Sequence, residues 1–229
     1  MPRDTLSRDQ IVHTAVELLD AQGLEGLNMR ALGRRLNSAA TAVYWHVGSK
    51  DNLIVLAADQ VWQEIALPDL ARTGWRVAAT AMATDLYAML TRHPWLVQAF
   101  GSYVLFGSGK ARHDDHTLAV YEAAGFNGAH ADQAAAAVFT FVLGNALGPA
   151  AAASLKRRLS QEDDPARQMH AAMAEAEQVA ARFPRLRARL DTPAAEYGTA
   201  PEDTFTSGLQ ALLDGLQVRL TGQDCGAAD

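Results

Sequence analysis

Apolar residues recur at helical spacing along almost the whole chain, and no segment of strand length alternates between apolar and polar residues. The first helical stretch begins at Ser7, with Gln10 three residues later as in a capping box, and Gly23 is expected to end it. Its apolar face contains Ile11, Val12, Ala15, Val16, Leu18 and Leu19. This spacing predicts an all-α fold. Among its later elements it predicts a break at Gly107 to Gly109 before a helix at Asp114–Ala124, and a loop at 191–202 before a last helix that ends at Leu220.

Two short helices joined by a tight polar turn follow this first helix. The pattern predicts helices at Asn28–Leu36 and Ala39–Val47, with Asn28 as the N-cap of the first. Asn37 can take the left-handed conformation that the turn needs, and Ser38 is expected to cap the second helix. The arrangement is typical of a helix-turn-helix, in which the second helix reads DNA bases. Ser49 is then expected to cap a connecting helix over residues 49–66.

Charge is distributed unevenly in this acidic chain. The net charge is -6, yet the stretch from Asn28 to Lys50 contains Arg30, Arg34, Arg35 and Lys50 and no acidic residue. A local excess of four positive charges is typical of a surface that binds nucleic acid. By charge alone, an ordinary solvated basic face explains the stretch equally well.

The helix-turn-helix geometry assigns roles to individual side chains. Ala39, Ala40 and Thr41 begin the second helix, and small residues there allow deep entry into the major groove. Arg30 is the candidate for a bidentate contact to guanine. The candidates for phosphate contacts are Tyr44, His46 and Lys50, with Ser49 as a helix cap near the same backbone. Val43 and Trp45 are expected to pack in the core, and Arg34 and Arg35 to be solvated or peripheral.

The stretch GLEGLNMRALGRRLNSAATAVYWHVGSKDNL, from Gly23 to Leu53, resembles the DNA-binding domain of the tetracycline-repressor (TetR) family. Tyr44-Trp45-His46-Val47 followed by Lys50 carries most of this resemblance. Two departures stand out: Asn37-Ser38 replaces the usual Gly-Val turn, and Ala40 stands where tetracycline repressors have Gln. The resemblance implies a transcriptional repressor that binds a palindromic operator as a homodimer, with an operator different from that of tetracycline repressors.

Residues 67–221 resemble the tetracycline-repressor-type C-terminal domain, in motifs such as Arg92-His93-Pro94-Trp95 and Phe141-Val-Leu-Gly144. The resemblance implies domains at 1–50 and 67–221, a tail at 222–229, and a small-molecule cavity. Large apolar side chains and one amide are the pocket candidates: Trp62, Met89, Trp95, Phe100, Tyr103, Phe106, Tyr121, Phe139, Asn145 and Met169. The effector is expected to be largely apolar.

A dimer interface is expected on the Ala131–Leu159 helix and the last helix, because small residues let partner helices approach closely. The candidates are Val138, Val142, Leu209, Leu212 and Leu216; the alternative is that they form the core of one subunit. The segment from Ala134 to Ala153 is apolar, but its Ala content and Pro149 favour a soluble buried helix over a membrane span.

Several chemistries find no support in the sequence. The His and Glu that hold magnesium-tetracycline in tetracycline repressors have no counterparts here. His113 and His116, three residues apart, are weak candidates for metal ligands. We therefore expect no metal and no cofactor. A single Cys, Cys225, excludes an internal disulfide framework. No nucleophile–base pair suggests an enzyme. We therefore expect a cytoplasmic regulator, with a helical small-molecule-binding protein or an activator as the alternatives.

Overall fold

The computed structural model describes residues 6–160, 164–190 and 204–226, and this part of the chain is helical without strands. The predicted all-α class is confirmed, while the loop expected at 191–202 lies outside the described residues. The helices are α1 (Arg8–Gly26), α2 (Met29–Arg35), α3 (Ala40–Val47), α4 (Lys50–Trp62), α5 (Trp75–Arg92), α6 (Pro94–Phe100), α7 (Ser108–Ala124), α8 (Ala129–Leu159), α9 (Pro165–Ala180), α10 (Pro184–Arg187) and α11 (Thr204–Gly226).

Local hydrogen bonds begin the helices where the sequence indicates. Ser7 and Gln10 form the predicted capping box of α1, with both side chain–backbone bonds present. Asn28 caps α2 by accepting the Ala31 N–H at 2.8 Å. Gly23 does not end α1: its φ of 70° kinks the helix, which continues to Gly26.

The turn between α2 and α3 is tight. Asn37 has a φ of 48° and is the one non-glycine residue with positive φ in the described ranges. A Cβ on Gly33 would lie 2.7 Å from the Ser38 carbonyl oxygen, so only glycine allows this approach. The prediction that Ser38 caps α3 is wrong, because the N-cap is Ala39, without a side-chain hydrogen bond, while Ser38 N–H donates to Gly33 O at 2.8 Å.

Helix α4 connects the two parts of the molecule. The Ser49 hydroxyl caps it by accepting the Asn52 N–H at 3.0 Å, as predicted. Its buried side chains include Leu53, Ala57 and Trp62, and the helix packs against α1 on one side and α7 on the other. A single continuous helix therefore runs from the helix-turn-helix to the larger helical domain.

Helix α8 is the centre of the larger domain and packs against α5, α6, α7 and α11. It is the one described helix long and apolar enough to cross a bilayer by length and composition, and it contains Pro149. Because it packs against four other helices, we interpret it as the core helix of a globular domain. The last helix, α11, extends to Gly226, beyond the Leu220 end that the sequence predicts.

Helix α7 also differs from its prediction. The sequence predicts a break at Gly107 to Gly109 and a helix from Asp114, but α7 begins at Ser108. Asp59 of α4 supplies the reason: its Oδ1 accepts the Lys110 N–H at 3.0 Å, which satisfies a donor in the first turn. A Cβ on Gly107 or Gly109 would overlap Asp59, so the two glycines permit α4 and α7 to touch.

Candidate DNA-binding surface and effector cavity

The outward face of α3 is the candidate DNA-reading surface. Val43 and Val47, one turn apart, are fully buried and anchor α3 to the rest of the domain. The prediction that Trp45 packs in the core is wrong, because its side chain is 83% exposed. Two residues correspond to about 200° around a helix, so Trp45 lies on the face opposite Val43. Thr41 and Tyr44 are exposed on α3 as well.

The basic residues of this domain differ in their environments. Arg30 and Arg34 are exposed, and among the described residues neither has an acidic partner. Arg35 lies 3.9 Å from Glu17, between Nη1 and Oε2, which offsets part of its charge. Two arginines of α2 are therefore available to DNA beside α3.

The end of α3 and the start of α4 contain the predicted phosphate contacts. Lys50 is half-buried, and its Nζ donates to the carbonyl oxygen of Leu24 at 3.1 Å. Sequence reasoning missed this bond, which ties α4 to the kinked end of α1. The half-buried His46 ring packs edge-on against Trp45 at 4.9 Å between centroids. Ser49 is exposed at the cap, while Ala39 and Ala40 are exposed and half-buried, respectively, at the start of α3.

A small cavity lies among α5, α7 and α8, with about 30 Å³ open to a water-sized molecule. Of the predicted pocket residues, Tyr121 and Phe139 line it. Trp62 and Phe100 stand beside it in an aromatic row, with centroids 6.4 Å apart and Phe100 5.6 Å from Phe139. The lining side chains are Ala79, Met82, Ala83, Leu86, His113, Thr117, Val120, Tyr121, Ala135, Val138 and Phe139.

The other pocket candidates lie elsewhere. Met89 and Trp95 are buried outside the cavity lining, and the Trp95 indole donates to Asp20 at 2.8 Å. The Asn145 amide donates to Phe141 O at 2.8 Å within α8. Phe106 is 65% exposed, and Tyr103 and Met169 are half-buried outside the lining.

Sequence reasoning missed a polar row on α7. His113, Thr117 and Tyr121 are four residues apart, so they share one helix face, and all three line the cavity. The four-residue spacing of these polar residues is visible in the sequence and could have indicated the row, because the rest of the lining is apolar. His113 faces the Trp62 ring at 4.8 Å, whereas His116 Nε2 lies 2.9 Å from Pro68 O. His113 and His116, which the sequence offers as weak candidates for metal ligands, therefore have separate partners.

The residues predicted for the dimer interface are largely buried inside the subunit. Val138, Val142, Leu209 and Leu216 are at most 6% exposed, and only Leu212 is half-buried. The first four therefore serve the subunit core, and Val138 also lines the cavity. The physical reason is that α8 packs against α11 and α5 within one chain. The helix faces that contain these four residues are therefore already buried inside the subunit. On the same two helices, Leu147 and Val218 are 57% and 69% exposed.

A polar cluster joins the two domains. His93, at the junction of α5 and α6, is 3% exposed and lies between Asp20 of α1 and Glu64 beyond α4. Burial lowers the pKa of His93, but the hydrogen bonds and negative charges of Asp20 and Glu64 outweigh it and raise the pKa above its ordinary value. Arg92 also pairs with Glu64. The cluster holds the ends of α1 and α4 against the larger domain.

Comparisons with known proteins agree with this two-part organisation. A family model described as bacterial regulatory proteins of the tetR family matches residues 11–57, and one for the tetracyclin repressor-like C-terminal domain matches residues 67–220. The HTH-type transcriptional repressor DrrR1 of Streptomyces coeruleorubidus is 31% identical over 219 residues, which is 95% of this chain and 79% of that protein.

Two further relatives extend the comparison. An HTH-type transcriptional regulator of Saccharopolyspora erythraea is 39% identical over 140 residues, or 61% of this chain and 59% of that protein, so the match spans less than two thirds of its length. The structure of ActR from Streptomyces coelicolor in complex with actinorhodin superposes with a TM-score of 0.72 at 26% identity, covering 93% of this chain and 96% of that one. The chain belongs to the TetR family of bacterial regulatory proteins.

Proposed function

We propose that the protein is a transcriptional repressor that binds a palindromic operator as a homodimer and is released by a small molecule. The observation that carries the proposal is the path of α4. It begins at Ser49 and Lys50 beside the exposed α3 and ends at Trp62, whose ring lies against His113 of the cavity lining. DrrR1 is a repressor by name, and ActR has been solved with actinorhodin bound, which supports both halves of the proposal.

On the DNA side, α3 enters the major groove with its N-terminal end. The small Ala39, Ala40 and Thr41 allow close approach and contact thymine methyl groups. Arg30, exposed and without an acidic partner in the described structure, donates to guanine. Tyr44 and His46, with the α4 end at Ser49, contact phosphates. Because the base contacts are few, we expect operator recognition to depend strongly on Arg30.

On the dimer side, the exposed apolar residues of α8 and α11 form the interface. Leu147 and Val218 are the large apolar side chains that these helices leave uncovered. Gly144, exposed one turn before Leu147, lets a partner helix approach closely. Two-fold pairing through these helices places two α3 helices about 34–36 Å apart, as a palindrome requires.

Release follows from the contact between α4 and α7. Asp59 and Trp62 of α4 touch the first turns of α7, which also contribute His113 to the cavity. A ligand that displaces His113 shifts α4 and with it the spacing of the two α3 helices. Ligand-dependent coupling of this kind is typically about 1–3 kcal/mol. We place the DNA-binding unit at residues 1–50, the connecting helix at 49–66 and the effector unit at 67–221, in a non-enzymatic protein acting in the cytoplasm.

Selection of binding sites from a random DNA pool, with full-length protein at fixed salt, tests the proposal. We expect enrichment of one palindrome, and retained binding of that palindrome by Arg185→Ala, whose exposed arginine lies on α10. Arg30→Ala and Tyr44→Ala should weaken binding while the dimer persists. A folded dimer that enriches no sequence would refute operator binding.

A further inference from the structure

The cavity has an apolar wall and a polar edge. Met82 and Leu86 of α5 face Val138 and Phe139 of α8, and the Phe100 ring stands directly behind Phe139. Aromatic rings and a methionine thioether both make favourable contacts with an aromatic guest. The polar edge is supplied by α7 alone, through the row His113, Thr117 and Tyr121.

Polar atoms on this edge lack protein partners. Tyr121 is 1% exposed, and its hydroxyl makes no hydrogen bond to any residue that the structure describes. His113 is 5% exposed and uses Nδ1 for a 3.4 Å contact with Asp114, leaving Nε2 without a partner in the same ranges. Nearby, Trp62 Nε1 is sealed from solvent and unpaired. The Tyr121 hydroxyl and His113 Nε2 line the cavity, so both atoms are available to bond a polar group of a ligand that enters it.

The absence of Asp, Glu, Lys and Arg from the cavity lining restricts the charge that a ligand can have. The Lys110 ammonium, which lies 5.3 Å from the centroid of the Trp62 ring, is paired with Asp114. An unpaired charge is costly to bury in such a site. A carboxylate or an ammonium group on the ligand would therefore bind poorly here.

Building on the proposed function, we infer that the effector is a neutral aromatic molecule whose phenolic or carbonyl oxygen pairs with Tyr121 and His113. The oxygen end lies along α7, and the ring system enters between α5 and α8, which must move apart to admit it because the cavity has only about 30 Å³ open to a water-sized molecule. The ligand edge thus contacts His113, whose ring touches Trp62 of α4. His113 therefore both contacts the ligand and transmits its binding to α4, which leads to release from DNA.

Three matched probes test this inference with the full-length protein: 1-naphthol, naphthalene and 1-naphthoate, titrated by calorimetry at pH 7.5. We expect 1-naphthol to bind about 2- to 10-fold more tightly than naphthalene, the ratio that one neutral hydrogen bond gives. We expect 1-naphthoate to bind at least about tenfold more weakly than 1-naphthol. In Tyr121→Phe the 1-naphthol preference should fall by about 2-fold or more, because only the bond to His113 remains, with naphthalene affinity unchanged.

Tyr87→Phe is the control, because Tyr87 stacks on Phe205 outside the cavity lining and should leave the preference intact. Tight binding of 1-naphthoate, a 1-naphthol preference that is unchanged in Tyr121→Phe, or no binding of any probe would overturn the inference. Binding of the selected operator is measured on the same preparations. Operator binding without probe binding refutes the effector class alone, whereas probe binding without operator binding refutes the proposed function alone.

Discussion

Nδ1 of His93 lies 2.7 Å from Oδ1 of Asp20, which bonds the α5–α6 junction of the effector domain to the first helix of the DNA-binding domain. The same Asp20 oxygen accepts the Trp95 indole N–H at 2.8 Å. On its other side, His93 Nε2 lies 3.1 Å from Oε1 of Glu64, beyond the end of α4. One buried imidazole therefore links both helices that support the DNA-reading unit to the effector domain.

This cluster predicts a pH-dependent stability. The folded-state pKa of His93 is raised, so its contribution is complete below the unfolded pKa of about 6.5 and is lost as pH rises through the folded pKa. We expect His93→Gln to lower the free energy of unfolding by about 1–3 kcal/mol at pH 6, with a smaller difference at pH 8.5. Urea unfolding at both pH values measures it.

His13→Gln is the matched control for that experiment. His13 lies 3.5 Å from Glu17, but its side chain is 67% exposed, so the pair should contribute little at either pH. A His93→Gln difference that is constant with pH, or that grows as pH rises, would contradict the assignment of a protonated imidazole between Asp20 and Glu64.

The contact between Asp59 and α7 predicts a difference between two substitutions. Asp59→Ala removes the acceptor of the Lys110 N–H, and we expect a loss of about 1–2 kcal/mol in the free energy of unfolding, as for other helix caps. Asp59→Asn keeps an acceptor oxygen and should lose less than half of that. Urea denaturation of both variants checks the prediction, which fails if the two are equally stable.

The exposure of Trp45 predicts that its loss affects DNA binding rather than folding. We expect Trp45→Ala to change the free energy of unfolding by less than about 0.5 kcal/mol, as for other surface sites, while weakening operator binding. Trp95→Phe is the contrast, because it removes a buried N–H donor to Asp20 and should destabilise by about 1–3 kcal/mol. Thermal unfolding measures the effect on stability, and fluorescence anisotropy with labelled operator measures the effect on DNA binding. Strong destabilisation by Trp45→Ala would show that the Trp45 side chain packs in the core.

Arg30 and Lys50 should respond differently to substitution. Arg30→Ala is expected to weaken operator binding by about 1–3 kcal/mol at one base position, with stability unchanged, because its side chain is exposed. Lys50→Met should lower the affinity for all DNA sequences and reduce the slope of log affinity against log salt concentration by about 1. It should also destabilise the fold, because it removes the hydrogen bond to Leu24 O. Salt titrations and urea unfolding of both variants test this pair. An unchanged salt slope in Lys50→Met would assign Lys50 a structural role only.

The sequence by itself determined the features that depend on near neighbours. Ser7, Asn28 and Ser49 begin their helices as predicted, and Asn37 forms the left-handed turn, because each bond or conformation involves residues at most three positions away. The contiguous stretch from Gly23 to Leu53 likewise sufficed to indicate the family.

The tertiary structure decided which face of each helix is buried, because that depends on partners distant in sequence. Trp45 lies outside the core since Val43 and Val47 already anchor α3. Leu209 and Leu216 are buried since α11 packs on α8. The polar row of α7 became recognisable as a ligand edge only when α5 and α8 closed around it, since separate helices do not reveal where an unfilled space remains between them.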